Sequence, residues 1–389
     1  MLQSDHPVAD LPLAGLRVLD FAQFLAGPVA ALRLSDLGAE VIKIERPDGG
    51  DLCRSMVVNN QILDGDSLVF HTFNRGKKSV AADLKAPADL AKVRALIATA
   101  DVMIHNFRPG VMERIGLGYD AIRALNPRLV YGSVTGYGTM GPWRDKPGQD
   151  LLVQSLSGIT WLNGNAADGP VPTGFAMLDV ATAANLVQGI LACLVRRGVT
   201  GKGGLVEVDL MSSAIDVTFE QFTCFLNDGG KQPQRHAIGN ANPYQPAPYG
   251  IYRASDGYFA FAMTPLAKVA ELLDAPEIAA FAQTEAYSRK DDIKAIVARI
   301  CAGKPVQHWL DILEPAGIWC APVLDWPDFV ATNGFAALDP VQTIRTAAGT
   351  EARTTRCPIR LDGHKLACAA AAPTLGADTT AVFEGLAPL

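Results

Sequence analysis

Apolar and polar positions along the first half of the chain switch repeatedly between the period of a strand and that of a helix. Residues 16–21 form a short apolar run suited to a buried strand. A loop ending in Gly27-Pro28 follows, then an Ala/Leu-rich helical stretch to Leu37, a stop at Gly38 and a second strand over 40–44. The pattern recurs, with a helix over 87–99 before a strand over 101–105, and a helix over 119–125 before a strand over 128–133. Such alternation predicts an α/β domain, a Rossmann-like parallel sheet with helices on both faces.

A longer helical pattern lies in GFAMLDVATAANLVQGILACLVRRGVTGKGG, beginning at Asp179 and running over 180–196. The glycines after it predict a turn into LVEVDLMSS, read as a strand, and a further helical pattern continues through Phe225. From 227 to 248 the chain is rich in Asn, Pro, Gly and Gln with almost no apolar periodicity, which marks a boundary. Beyond it, APYGIYRASDGYFAFAM predicts a hairpin closed by Asp256-Gly257 as a type I′ turn, and helical patterns follow over 266–281, 288–301 and 306–316. The division predicted is a large domain of residues 1–226 plus 336–389 and a linker with a smaller α+β domain over 227–335.

A chain of 389 residues, 49% hydrophobic and 19% charged, buries more than one core usually holds, in keeping with two domains. The net charge of −6 supplies no global attraction to nucleic acid or to an anionic membrane, so a polyanionic ligand needs a local basic cluster. No run of about 18 uncharged apolar residues stands out, and MLQSDHPVAD lacks the basic and apolar regions of a secretory signal, so the expectation is a soluble cytoplasmic protein. Seven cysteines without a CxxC pair, and six histidines without an HxxxH or HExxH spacing, give neither a disulfide framework nor a metal site.

The β-α-β opening invites a dinucleotide, but GxGxxG is absent from the first loop, which reads Phe21-Ala22-Gln23-Phe24-Leu25-Ala26-Gly27-Pro28, and Glu45 does not restore it. Asp179 has two readings. It is a preferred residue for capping a helix start, and it is equally a carboxylate able to attack an activated acyl group. At the start of a helix the macrodipole favours its ionisation, and the free N–H groups there suit an oxyanion.

The segments RVLDFAQFLAGPVAALRLSDLGAEVIKIERPDGGD, FHTFNRGKKSVAADLK, NFRPGVMERIGLGYDAIRALNPRLVYGSVTGYG and KPGQDLLVQSLSG, taken with the Asp179 segment, resemble the family III CoA transferases, the formyl-CoA transferase and CaiB/BaiF group. The resemblance runs from about Leu13 to Asp216 and returns weakly in APTLGADTT. It implies that Asp179 is the nucleophile, that CoA or acyl-CoA is a substrate with no permanently bound cofactor, that the C-terminal tail rejoins the first domain, and that two chains interlock as a homodimer. It places Leu25 and Ala26 against the thiol arm of CoA, Arg46 at the adenine end, and Ala82, Lys85, Asn106, Phe107, Arg108, Arg114, Lys146, Gln149 and Asp150 around the ligand, with the Phe107 ring over the adenine. Further candidate phosphate donors are Arg75, Lys77 and Lys78. His105 is taken as structural.

Three departures bear on the substrate. A well-known family member has histidine at Gln23 and glutamine at Leu25, and the glycine-rich loop of formyl-CoA transferases is replaced by IGNANPYQPAP, against an oxalate/formate specificity. The related α-methylacyl-CoA racemases carry GHD where this chain has Gly148-Gln149-Asp150, and an amide cannot accept and return a proton as imidazole does. CoA transfer through a covalent aspartyl intermediate is therefore the expectation, racemase-type proton transfer is the alternative, and a non-catalytic CoA- or NAD-binding protein is the third reading. Asp150 is structural or lines the acyl site, Gln149 is a donor to an acyl oxygen, and Arg235 or Arg253 would suit a dicarboxylate.

Overall fold

In the computed structural model, residues 10–386 are described, and all of MLQSDHPVAD except Asp10 lies outside them. The chain divides into two compact units, one built from the segments up to Val153, Ala176–Ser213 and Asp339 onward, the other from Gln154–Phe175 and Ala214–Leu338.

The first unit begins with β1 (Arg17–Asp20), α1 (Ala26–Asp36) and β2 (Glu40–Glu45). A short β3 (Ile62–Leu63) and β4 (Asp66–Ser67) precede α2 (Leu68–Asn74) and β5 (Lys78–Ala81). Then come α3 (Pro87–Ala98), β6 (Val102–His105), α4 (Val111–Arg114), α5 (Tyr119–Leu125), β7 (Val130–Thr135), α7 (Met177–Thr200) and β8 (Gly204–Asp209), while α6 (Asp150–Ser157) and α8 (Leu210–Val217) start in this unit and end in the second. The six-stranded sheet has the order β5-β2-β1-β6-β7-β8 with every pair parallel. Parallel strands covered on both faces are buried almost throughout, and where β1 and β2 carry charge at Asp20, Lys43 and Glu45 those buried groups are paired.

α1 is buried on nearly every side, which matches its Ala/Leu composition and lack of a polar face. Gly38 ends it at φ +107°, where a Cβ would stand 2.5 Å from the Leu11 Cβ, so a side chain here meets both strain and a collision. One core cluster, with Leu19, Ile42, Val80, Leu96, Met103 and Ile122, lies on the α3 and α5 side of the sheet. Each such fully buried aliphatic side chain contributes about 1.5–3 kcal/mol.

By length and mean hydropathy of 1.7, α7 could cross a membrane. Within its unit it packs instead against α1, β7 and β8.

The second unit contains α9 (Phe219–Asn227), β9 (Gly250–Arg253), β10 (Tyr258–Phe261), α10 (Leu266–Leu272), α11 (Lys290–Cys301), α12 (Val306–Leu313), β11 (Cys320–Pro322), α13 (Trp326–Ala331) and α14 (Asn333–Leu338). Its antiparallel sheet has the order β11-β10-β9, and its core gathers Tyr252, Phe259, Phe261, Ile293, Val297 and Trp309. The β9–β10 connection is not type I′, because neither Asp256 nor Gly257 has positive φ. It spans Ala254–Gly257, with the Ala254 N–H donating to the Gly257 carbonyl, while the Asp256 carboxylate accepts the Val306 N–H at 2.8 Å and starts α12.

The partition differs from the one read from composition, since 154–175 and 214–226 cluster with the second unit. Polar contacts account for the first of these segments. The Arg235 guanidinium donates to the carbonyls of Asn163, Asp168 and Gly169, and Asn240 bonds Leu162 and Asn165. Arg235, buried among carbonyls, is therefore structural and unavailable to a substrate.

The chain returns to the first unit as β12 (Val341–Arg345) and β13 (Glu351–Thr355), β14 (Arg360–Leu361) and β15 (His364–Lys365), and α15 (Thr379–Glu384). The tail docks on β5, with the Ser79 and Ala81 N–H groups donating to Asp378 and Thr379.

Candidate active site

The chain reverses direction across the sheet between β1 and β6, and ligands of doubly wound folds bind beyond the strand ends at such a switch point. Two cavities of the first unit lie there, and both are lined by Gln23 and Phe107. The larger, of about 600 Å³, collects Leu25, Ala26, Asn106, Phe107, Arg108, Lys146, Gln149, Asp150 and Asp179. The smaller, of about 240 Å³, collects Arg46, Ala82 and Lys85 beside Phe107. Of the residues picked out by resemblance, Arg114 alone lines neither cavity.

Sequence reasoning missed Phe24, Met56 and Arg144 on the larger cavity and Lys43, Glu45 and Asp51 on the smaller one. Phe24 follows the C-terminal end of β1, a position whose placement at the switch point would have flagged it. It stands in the left-handed region at φ 63°, an uncommon conformation for a bulky residue.

The loop is fastened on both sides of Phe24. Asn106 accepts the Gln23 N–H at 2.8 Å and donates to the Gln23 carbonyl at 2.6 Å, while Asp51 accepts the Phe24 N–H at 3.2 Å. Beneath it Lys43 pairs with Asp51 at 2.8 Å and donates to the Ala22 carbonyl at 2.6 Å. Lys77 donates to Asp20, Asn74 and the Pro28 carbonyl at 2.8–2.9 Å. Burial opposes ionisation of Asp20, but Lys43 and Lys77 outweigh it and hold that carboxyl below its ordinary range. Lys77, with more burial than attraction, is lowered to about 8.

These pairings correct three candidate phosphate donors. Lys77 is consumed inside the network, Arg75 is buried against Asp36 at 2.9 Å, and Lys78 pairs with Glu40 on the surface. Asn106 likewise spends its amide on the loop, so its part is to shape the cavity.

Glu45, where a dinucleotide fold keeps its ribose acceptor, is saturated. Its oxygens accept Arg54 at 2.7 and 2.8 Å, the Ser79 hydroxyl at 2.7 Å and the Asp51 N–H at 3.0 Å. His105 is buried and stacked on Phe107, its pKa lowered to about 4 by burial, which keeps it neutral. No histidine lines either cavity, and among the described residues no group of three or more His, Cys, Asp or Glu could hold a metal.

α7 begins at Met177, so Asp179 is its third residue and not its cap. The N-cap position, Ala176, has no side chain able to accept a hydrogen bond. That task falls to Asp150, whose Oδ1 accepts the N–H of Leu178 at 2.7 Å and that of Asp179 at 3.3 Å. The expectation that these N–H groups serve an oxyanion is thereby overturned. So is the expected net gain from the helix dipole, because burial, followed by the negative charge of Asp150, pushes the Asp179 carboxyl up to about 7.

Gly136 and Gly148 meet back to back beside this pair, where a Cβ on either would lie 2.5 Å from the other's Cα. Only glycine at both positions lets the loop carrying Gln149 and Asp150 close on the end of β7. Gln149 is exposed and accepts the Leu152 N–H at 3.4 Å.

A parallel sheet with a cleft at its switch point, a carboxylate on the first turn of a helix lining that cleft and no nicotinamide fingerprint define an α/β protein with a candidate active site outside the dinucleotide-binding class. The chain belongs to CoA-transferase family III, which its sequence matches over residues 13–379. It is 35% identical to acetyl-CoA:oxalate CoA-transferase of Acetobacter aceti over 81% of each chain. It is 33% identical to "Probable fatty acyl-CoA transferase Rv3272" of Mycobacterium tuberculosis, over 96% of this chain and 97% of that one. A solved structure of Rv3272 superposes with a TM-score of 0.81 at 31% identity, over 95% of this chain and 98% of that chain. A CaiB/BaiF family protein from Brucella suis gives a TM-score of 0.79 at 32% identity, over 97% and 100% of the two chains.

Proposed function

We propose that this enzyme moves CoA from an acyl-CoA donor to a free carboxylic acid through covalent intermediates on Asp179. The observation that carries this reading is the position of Asp179, a carboxylate on the first turn of α7 opening onto the cavity beside Leu25, Ala26 and Gln149. Arg46 and Lys85 flank the adenine end, Phe107 lies between the two cavities, and Arg108 and Lys146 supply cations toward the pyrophosphate and pantetheine.

In the first half-reaction an Asp179 oxygen attacks the donor thioester carbonyl and the C–S bond breaks, leaving a mixed anhydride and CoA thiolate. The thiolate attacks the Asp179 carbonyl carbon, the donor leaves as its carboxylate, and an aspartyl-CoA thioester remains. The acceptor carboxylate attacks that carbonyl and expels thiolate, which then attacks the acceptor carbonyl and restores the Asp179 carboxylate. Charge balances at each step without metal or redox chemistry. Gln149, an amide where a racemase has imidazole, favours this over proton transfer at an α-carbon.

The partner of this reading is a second copy of the chain. Trp319, Trp326 and Phe219 in the second unit are 69, 85 and 69% exposed, and Val195 and Val199 on α7 in the first are 74 and 88% exposed. Large apolar side chains left so open in both units suit an extensive homodimer interface.

The test is intact mass and peptide mapping after incubation with a panel of acyl-CoAs, quenched with hydroxylamine or borohydride. A derivative on the peptide bearing Asp179, absent from Asp179→Ala, supports the reading and names the donor. Turnover retained in Asp179→Ala sinks it.

A further inference from the structure

Asp150 is buried at 5% exposure, yet it lies far from Asp179 in sequence and opens a different helix. One of its oxygens receives the N–H groups of both Leu178 and the nucleophile itself. Such a contact replaces a missing N-cap across 28 and 29 residues of chain. It also sets a second carboxylate beside Asp179 in a site that water screens poorly.

We propose that Asp150 is the positioning residue for the covalent chemistry, its carboxylate seating the first turn of α7 so that Asp179 opens to the cavity while its negative charge favours the acylated over the free nucleophile. The proposal rests on Asp179 being the nucleophile. Its physical content is a difference between states. Free Asp179 is an anion beside an anion, whereas the mixed anhydride and the CoA thioester are neutral, so acylation removes the repulsion. The same repulsion, added to burial, accounts for the raised pKa of about 7, and a more basic carboxylate is the better nucleophile once ionised.

Other charges near Asp179 do not supply this effect. Arg108, Arg144 and Lys146 line the same cavity and act in the opposite sense. On the elements packed against α7, Asp36 of α1 is paired with Arg33 and Arg75, and Asp209 of β8 is engaged by Ser212. Glu207 lies on β8, and the one ionisable side chain of β7, Tyr131, donates its hydroxyl to the Leu117 carbonyl and is held neutral by burial.

Asp150→Asn separates the two parts, because an amide oxygen still accepts the Leu178 and Asp179 N–H groups but carries no charge. The expected result with the full-length enzyme is a melting temperature close to wild type and an acid limb of kcat/KM moved at least about one pH unit lower. The steady-state fraction of trapped Asp179 adduct should fall several-fold. Asp150→Ala should also lose the cap and melt lower, and Asp150→Ser should recover the melting temperature without recovering the acid limb.

A pH profile and adduct fraction in Asp150→Asn that superpose on wild type, with the adduct still on Asp179, overturn the proposal and leave the nucleophile standing. No Asp179 adduct in the wild-type enzyme overturns both.

Discussion

Asn106 and Gln23 form a reciprocal pair, the Asn106 amide matching both polar groups of the Gln23 backbone at 2.8 and 2.6 Å. The two residues come from the ends of neighbouring strands β1 and β6, so the pair ties the two lips of the switch-point cleft together. With the Asp51 contact to the Phe24 N–H, it fixes how Phe24, Leu25 and Ala26 line the cavity.

Asn106→Ala should therefore loosen the loop without touching Asp179. Two lost hydrogen bonds at about 0.5–1.5 kcal/mol each predict a rise of about 5- to 160-fold in KM for acyl-CoA, with a smaller change in kcat. Steady-state kinetics and calorimetric titration with CoA would show it, and an unchanged CoA affinity would remove the role assigned to the pair.

Asp179 gives a prediction about stability and pH. Its folded pKa of about 7 stands above the ordinary 3.8, so between these values the folded state holds a proton that the unfolded state has released. Stability from this group is complete below pH 3.8 and is lost as pH rises through 7. Asp179→Asn, neutral at every pH, should raise the melting temperature by a margin that is small near pH 4, grows across the window and is largest at pH 8. Turnover should fall by at least about a thousandfold if Asp179 has the covalent role proposed for it. A lower melting temperature at pH 8 would contradict the sign.

The same residue shows what the sequence could and could not disclose. Strands β1, β2 and β6 and helices α3 and α5 lie within two residues of where apolar periodicity put them, because their burial repeats locally. The start of α7 was less legible. An aspartate followed by an apolar run looks like an N-cap, and the helix actually begins three residues earlier, its first N–H groups capped by Asp150, 29 residues away from Asp179. Lys77 was unreadable for a related reason. Nothing local separates a surface lysine from one whose acceptors are Asp20, Asn74 and Pro28, up to 57 residues distant. The cavity-lining set was legible through resemblance, whereas the division of labour within it, with Asn106 holding a loop and Asp150 capping a helix, required coordinates.

Arg54 should prove indispensable to the first unit. Its guanidinium grips Glu45 through two bonds of 2.7 and 2.8 Å, reaches Asp66 at 2.6 Å and the Pro373 carbonyl at 3.1 Å, and lies 4.0 Å over the Phe70 ring. Arg54→Met keeps the apolar stem but strands the buried Glu45 carboxylate, at a cost of about 3–5 kcal/mol. Arg54→Lys should recover little of it, since an ammonium cannot make the two-pronged contact. Urea denaturation would reveal the loss as a lower midpoint. The double variant Arg54→Met with Glu45→Gln should regain part of it, and failure to do so would place the damage in packing alone.

Lys294 offers a test confined to the second unit. It is fully buried on α11, donates to the Gly239 carbonyl at 2.9 Å, and burial, followed by repulsion from Lys290, lowers it to about 7. Between pH 7 and its ordinary 10.5 the unfolded chain binds a proton that the folded chain does not, so stability rises with pH across that window. At pH 7 and below the full cost of burying the ammonium is present. Lys294→Met removes this titration and one hydrogen bond, a loss of about 1 kcal/mol that does not vary with pH. Comparing melting temperatures at pH 7 and pH 9.5, the wild-type protein should gain on the variant as pH rises. Parallel curves would mean that Lys294 is charged in the folded state across the whole range, with a counter-charge or water supplied at Gly239.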